Sequence, residues 1–458
     1  MILYYGLTNY HMLCCILHRL IYNSKEKAIF VASQGILKSR IDDLTKSKIF
    51  DEAYYLEDTN VRDSNFNVLN SQSSVKEIEN VTNIFISQYE KILPFDIDKF
   101  NDIYLAADHG VFGIYILMKK RKYIYLEDGR GIYSNWKTLD NLLRIKNPGI
   151  QIMSSYYKAY GKSELIKKKY IALDSQLDNY DLSNCLDFDV NELLDKLTEK
   201  QIEKVLNIFK IKQYNINNKE INTLVLTQRF STYGMLEQEN CILMYSLLCD
   251  FLAKNSRIYL KPHPADKCEY NKVFEKHIII EKEMPSELIR FVIKKNFDIG
   301  ICTYSSSIHS LKKYIDVVYN IDETIVNFKD RIFKLYVLFE IASCIGGNVK
   351  IKDELLDQCF HKCYNLNIDS QYVFDFSNAK DGNGNIVNDN FFEGANCIIY
   401  IEKVIENENL SCELLNKSET LYVKIKDMTL FNELENLKIS RVLPISKVHI
   451  NVQIEKLY

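Results

Sequence analysis

Positive charge is not in surplus here, and that excludes a nucleic-acid binder. Across 458 residues, 58 Lys and Arg stand against 61 Asp and Glu, whereas a nucleic-acid-binding domain shows a strongly basic face. An anionic ligand must therefore be held by a local site, not by a global field. Long hydrophobic runs are missing too. Residues 335–345 are broken by Glu340, and the run is far shorter than the roughly 20 residues that a bilayer requires. The apolar stretch 1–22 lacks a basic start and is interrupted by Asn9, His11, His18 and Arg19, so it does not read as a signal peptide. An integral membrane protein is not expected; peripheral attachment stays open.

Disulfide and metal frameworks are also absent from the pattern. Twelve cysteines are present, but Cys14, Cys241, Cys249, Cys302 and Cys397 sit inside apolar runs, where a thiol behaves as a small hydrophobe. Cys359-Phe-His361-Lys-Cys363 has ligand-like types, yet zinc needs about four ligands and no second pair completes the set. A reducing cytoplasm fits this usage. No Walker pattern and no dinucleotide fingerprint follows a strand, and there is no repeat or low-complexity tract.

What is present is alternation. With 47% hydrophobic and 26% charged residues the chain reads as globular, and its length calls for two or three domains. Strands are expected at 1–6, 28–32, 52–56, 102–106 and 123–126, with a helix at 9–22. After a less regular stretch at 134–222, a second block places strands at 223–227, 257–261, 277–281 and 298–303. Helices are expected there at 237–254 and 285–295. Strands separated by helix-length segments form parallel sheets. Two such blocks facing each other would form a cleft beyond the carboxyl ends of their strands. From 351 the character turns β-rich, with strands expected at 396–401, 420–425 and 448–454. The expected boundaries are 1–220 for a first Rossmann-like domain, 221–350 for a second, and 351–458 for a small β-rich appendage.

Three strand ends carry chemistry. The first is Glu127-Asp128-Gly129-Arg130: a carboxylate at a strand tip, opened by a glycine, can accept a proton from a hydroxyl, although Asp-Gly also makes ordinary turns. The second is Lys261-Pro262-His263-Pro264. Only six prolines occur in the chain, and two of them flank one histidine and restrict its direction. With Lys261 beside it, that imidazole suits a leaving phosphate. The third is Ser305-Ser306-Ser307, followed by Ile308-His309, a hydroxyl-rich strand-to-helix junction suited to an anion or to simple capping. Together they point to group transfer from a phosphorylated donor.

These residues carry a resemblance. Glu127-Asp128-Gly129, His263-Pro264 and Ser305-Ser306-Ser307 resemble the three short motifs of bacterial sialyltransferases and polysialyltransferases of two-Rossmann (GT-B) architecture, over about residues 1–322. Thr227-Gln228 resembles the loop opening the donor domain, and Pro285-Ser-Glu287-Leu288 resembles a segment beside the nucleotide. The resemblance implies an inverting, metal-independent transfer of sialic acid from a CMP-activated donor to an oligosaccharide or glycolipid of a capsule or lipooligosaccharide, with no cofactor. It implies Asp128 as general base and His263 on the CMP phosphate. The donor side would hold Lys261, Pro264, Glu287, Gln228 and the three serines; Glu127, Gly129 and Arg130 would lie on the acceptor side. A cytoplasmic place, at the inner face of the membrane if attached, follows. Arg130-Gly131 and the β-rich tail depart from the pattern. CMP-Kdo transferases and CDP-glycerol glycerophosphotransferases have similar motifs; the latter use a histidine base, for which His109-Gly110 is a candidate. A non-catalytic assembly scaffold is a further alternative.

Overall fold

A computed structural model describes residues 1–129, 147–173, 183–215, 220–232, 256–303 and 307–321, isolated residues between these ranges, and five later strands as backbone. Strand β1 (Ile2–Gly6) is buried at every position, as is β2 (Ala28–Ala32). Continuous apolar strands of this kind suit a parallel sheet. Between them runs helix α1 (Asn9–Tyr22), whose start is capped by the Thr8 hydroxyl accepting from the His11 N–H.

The chain steps outward from β1 through β2 to β3 (Glu52–Tyr55), then returns to the other side of β1 as β4 (Asp102–Leu105). Beyond β4 lie β5 (Tyr123–Tyr125), β6 (Ile166–Ile171) and β7 (Cys185–Asp187). The order is β3-β2-β1-β4-β5-β6-β7 and every neighbouring pair is parallel. The order therefore reverses between β1 and β4, and it is at such a switch point, at the carboxyl ends of the strands, that doubly wound sheets bind ligands.

A second parallel sheet repeats the logic. It holds β8 (Asn222–Leu226), β9 (Arg257–Lys261), β10 (Ile278–Ile279), β11 (Phe297–Thr303) and β12 (Ile315–Ile321) in the order β10-β9-β8-β11-β12. Its switch point lies between β8 and β11. A third, mixed sheet follows, with β13 (Val349–Ile351) parallel to β14 (Tyr372–Asp381). There β17 (His449–Lys456) pairs antiparallel with β14 and with β16 (Thr420–Lys426), which pairs antiparallel with β15 (Ile398–Tyr400). The class is α/β: two Rossmann-like parallel sheets and a β-rich C-terminal part. Contacts divide the chain into one unit of Met1–Tyr214 with Glu283–Lys294, and a second of Asn215–Lys282 with Lys295–Tyr458.

Two local expectations are corrected. The stretch 134–222 supplies two further parallel strands, β6 and β7; β6 reads Ile-Lys-Lys-Lys-Tyr-Ile, and its lysines hide the apolar signal of a strand. The helix expected at 285–295 is instead a 3₁₀ helix, Ser286–Phe291. Tertiary anchoring shapes it. The Asn9 amide donates to the Glu283 carbonyl at 2.7 Å, the Tyr214 N–H to the Val292 carbonyl at 2.9 Å, and Arg290 pairs with Asp195, while Met284, Leu288, Ile289, Val292 and Ile293 are buried. Arg130, Ser306, the 359–363 cluster and most of the expected 237–254 helix lie outside the described residues. Among the described residues no helix is long and apolar enough to cross a membrane, and no group of three or more His, Cys, Asp and Glu is placed to hold a metal ion.

Helix α5, named in order after α2 (Lys38–Ser47), α3 (Thr59–Phe66) and α4 (Val75–Ile92), covers Val111–Met118 and is buried throughout. It presses on the loop after β4. A Cβ at Gly113 would meet the Ala107 carbonyl oxygen at 2.5 Å and Asp108 Cα at 2.6 Å. Gly to Ala inside a helix ordinarily stabilises by about 1 kcal/mol, but here backbone must move. Gly113→Ala is expected to destabilise the protein by about 1–3 kcal/mol, as overpacking does, measured by denaturant unfolding; a more stable variant would contradict this packing.

Candidate active site

Strand β5 sets a cluster of titratable groups in the first unit. Tyr123 and Tyr125, two residues apart on one face, are fully buried, and a buried hydroxyl without a partner costs about 1–3 kcal/mol. Each finds a carboxylate. The Tyr123 hydroxyl donates to Asp108 Oδ2 at 2.7 Å and the Tyr125 hydroxyl to Asp128 Oδ2 at 3.1 Å. Asp108, wholly buried, also accepts from the Tyr160 and Gly161 N–H groups at 2.7 and 2.9 Å.

Asp128 lies at the centre of a cluster at the ends of β1, β4 and β5. Its Oδ1 is 2.9 Å from His11 Nε2, and its Oδ2 is 3.3 Å from His109 Nδ1. His11 belongs to the first turn of α1, and its Nδ1 accepts from the Leu7 N–H at 3.2 Å. The His109 ring stacks on Tyr160, with centroids 5.5 Å apart and planes 23° from parallel. Burial pushes the Asp128 carboxyl up, but the His109 and His11 imidazoles outweigh it and hold it well below the usual carboxylate range. For His109 burial opposes the charged form, and Asp128 and Asp108 overcome it, raising the imidazole.

Glu127 points elsewhere, as alternation along an extended chain requires. It is wholly buried and accepts from the Gly129 N–H at 2.8 Å and the Ala172 N–H at 2.7 Å. Gly129 has φ +105°, a conformation open to glycine, and this bends the chain so that Glu127 can bond its N–H.

The second unit gathers a separate group of polar residues at the ends of β9, β8 and β11. His263 follows β9; its N–H donates to Thr227 Oγ1 at 3.1 Å, and its Nδ1 accepts from the Ala265 N–H at 3.0 Å. In the neutral ring the proton therefore sits on Nε2. Burial first, then Arg229 and Lys261, push this imidazole down to about 4, so it is neutral near pH 7. Asp266 fixes the loop by accepting from the Thr227 and Tyr270 hydroxyls, both at 2.7 Å. Tyr245 ties the ends of β8 and β11: its hydroxyl accepts from the Gln228 N–H and lies 2.7 Å from Thr303 Oγ1. Ser305 is buried, and Ser307 opens the short helix Ser307–Leu311.

Against known proteins, the family model of alpha-2,8-polysialyltransferase (POLYST) matches residues 22–319. The chain belongs to the alpha-2,8-polysialyltransferase family. Membership of this polysialyltransferase family makes it a glycosyltransferase of the sialyl-transfer type, using a nucleotide-sugar donor and a glycan acceptor. No curated protein sequence matches it. Among solved structures it is similar to an α/β-galactoside α-2,3-sialyltransferase from Photobacterium phosphoreum, at 10% identity and TM-score 0.41, over 80% of this chain and 96% of that one. It is also similar to S. aureus MnaA with UDP, at 12% identity and TM-score 0.41, over 80% and 91%. These likenesses are distant, and family membership rests on the family model.

Within this polysialyltransferase-family chain, the structure brings Asp128 to two histidines that sequence reasoning left apart. In the sequence His11 stands only as a polar break in an apolar run, and the signal it offers is its place just after the first strand, in the first turn of α1. Lys261 is buried and donates to the Pro262 and Lys282 carbonyls at 2.7 and 2.8 Å. Pro264 is exposed beside His263. Glu287 is buried in the segment Glu283–Lys294, which by its contacts belongs to the first unit. Glu127→Ala leaves the Gly129 and Ala172 N–H groups without their carboxylate; a loss of stability on the order of 3 kcal/mol is expected in chemical denaturation, and an unchanged midpoint would show that Glu127 holds nothing.

Proposed function

We propose that the protein transfers sialic acid from a CMP-activated donor to a hydroxyl of a surface glycan by a single inverting displacement, without a metal. The observation that carries the reading is His263: an imidazole kept neutral, its Nδ1 already engaged, at the carboxyl end of a strand beside the switch point of a parallel sheet. Its Nε2–H is a donor free of charge, suited to a phosphate oxygen that gains negative charge as the sugar leaves. Thr227, Gln228, Ser305 and Ser307 follow strands β8 and β11 of the same sheet and, with Ser306, would complete a nucleotide phosphate site, with Lys261 supporting the surrounding backbone. On the acceptor side, the cluster around Asp128 would receive the hydroxyl proton, with Glu127 and Gly129 shaping the loop that carries it.

A donor screen tests this. Purified protein offered CMP-sialic acid, CMP-Kdo and CDP-glycerol is expected to release nucleotide from the first, and CMP should bind with EDTA present. Turnover confined to CMP-Kdo or CDP-glycerol, or strict dependence on magnesium or manganese, would reject the assignment. His263→Ala is expected to lower turnover by about 10²–10³, as loss of one donor to a developing anion does. A folded His263→Ala protein working at the wild-type rate would remove the proposed role.

A further inference from the structure

We infer that, in the sialyl transfer proposed above and resting on that reading, His109 is the group that takes the acceptor's proton, with Asp128 as the positioning residue behind it. The geometry comes first. The Asp128 side chain is 3% exposed and both of its oxygens are engaged, Oδ1 by His11, and Oδ2 by the Tyr125 hydroxyl and by His109. His11 has spent both nitrogens, one on the Leu7 N–H and the other on Asp128. His109 differs. Only its Nδ1 faces Asp128, its side chain is 11% exposed, and Nε2 lies on the opposite edge of the ring. A hydroxyl thus meets the histidine more readily than the carboxylate.

The arrangement is that of a base oriented by a buried acid. His109 Nδ1 lies 3.3 Å from Asp128 Oδ2 without an aligned hydrogen bond; a proton on Nδ1 would be drawn to that carboxylate and leave Nε2 as the acceptor, and such contacts are often loose before substrate binds. The ring plane is held by Tyr160, whose own N–H is pinned by Asp108. Among the described residues, the charged and titratable groups around His109 are Asp128 and Tyr125 from the β5 end, Asp108 from its own loop, Tyr160, and His11 from α1 beyond Asp128. A carboxylate held far below its usual range is a weak base, whereas an imidazole raised above its ordinary value by two carboxylates is the better proton acceptor.

The step balances. The acceptor O–H bond breaks as that oxygen's electron pair forms the bond to the anomeric carbon of the sugar. The bond from that carbon to the phosphate oxygen breaks, and CMP leaves with its electron pair. The proton goes to His109 Nε2, the resulting imidazolium faces the Asp128 carboxylate, and the proton then passes to water.

The test combines kinetics with nitrogen NMR of the imidazoles, using wild type, His109→Gln, His109→Ala and Asp128→Asn. His109→Gln should lower kcat by about 10²–10⁴ with CMP affinity unchanged, and added imidazole should restore part of the rate to His109→Ala. A raised imidazole must lose its proton before it can act, so wild-type kcat/KM should rise with pH through a limb above about 6.5, the ordinary histidine value. Removing the carboxylate charge in Asp128→Asn should move that limb to lower pH. By NMR the neutral His109 ring should carry its proton on Nδ1, and its midpoint should fall in Asp128→Asn. A proton on Nε2, a midpoint indifferent to Asp128→Asn, or near-wild-type turnover in His109→Gln each overturns the inference. A wild type that shows the NMR signature but releases nothing from CMP-sialic acid overturns the donor assignment and leaves the pairing of His109 with Asp128 standing.

Discussion

A carboxylate taken out of water must be paired or hydrogen-bonded, because an isolated buried charge costs several kcal/mol. Asp128 meets that demand by drawing on three loops at once, those that follow β1, β4 and β5. Those loops converge only because the three strands are parallel neighbours with their carboxyl ends on one edge. Satisfying one acid thus ties the turn into α1, the loop before α5 and the end of β5 into a single unit. Even the core serves this purpose, since the tyrosines that fill β5 end in hydroxyls that reach Asp108 and Asp128.

Two histidines, one at the strand ends of each parallel sheet, are tuned in opposite senses. His109 is raised by neighbouring carboxylates, whereas burial, Arg229 and Lys261 push His263 down to about 4. Groups driven apart in this way can play opposite parts in one reaction. One is prepared to accept a proton. The other stays neutral near pH 7 and can donate from Nε2 without carrying charge.

Much of the architecture was legible because burial on both faces leaves a plain trace. The strands at 28–32 and 257–261 and the helix at 9–22 coincide with their expected ranges, and the three motifs fall at strand ends. Where a strand departs from that composition the trace fades. The lysines of β6 conceal a parallel strand, and the apolar period of 285–295 suits an α-helix, whereas the segment, tied down at the Glu283 and Val292 carbonyls, is 3₁₀.

The sequence by itself determined the α/β alternation, the chain's lack of a global electrostatic field, and the presence of an acid and a clamped histidine at strand tips. These follow from local composition and short spacing, which act before the chain is folded. Tertiary structure alone decided which carboxylate of Glu127-Asp128 meets titratable partners and which is spent on backbone N–H groups. It also decided that His11, His109 and Asp128, separated by about a hundred residues or by twenty, share one cluster. A residue's basicity depends on burial and on charges within a few ångströms, and those distances are set by the crossovers between strands, not by neighbours along the chain.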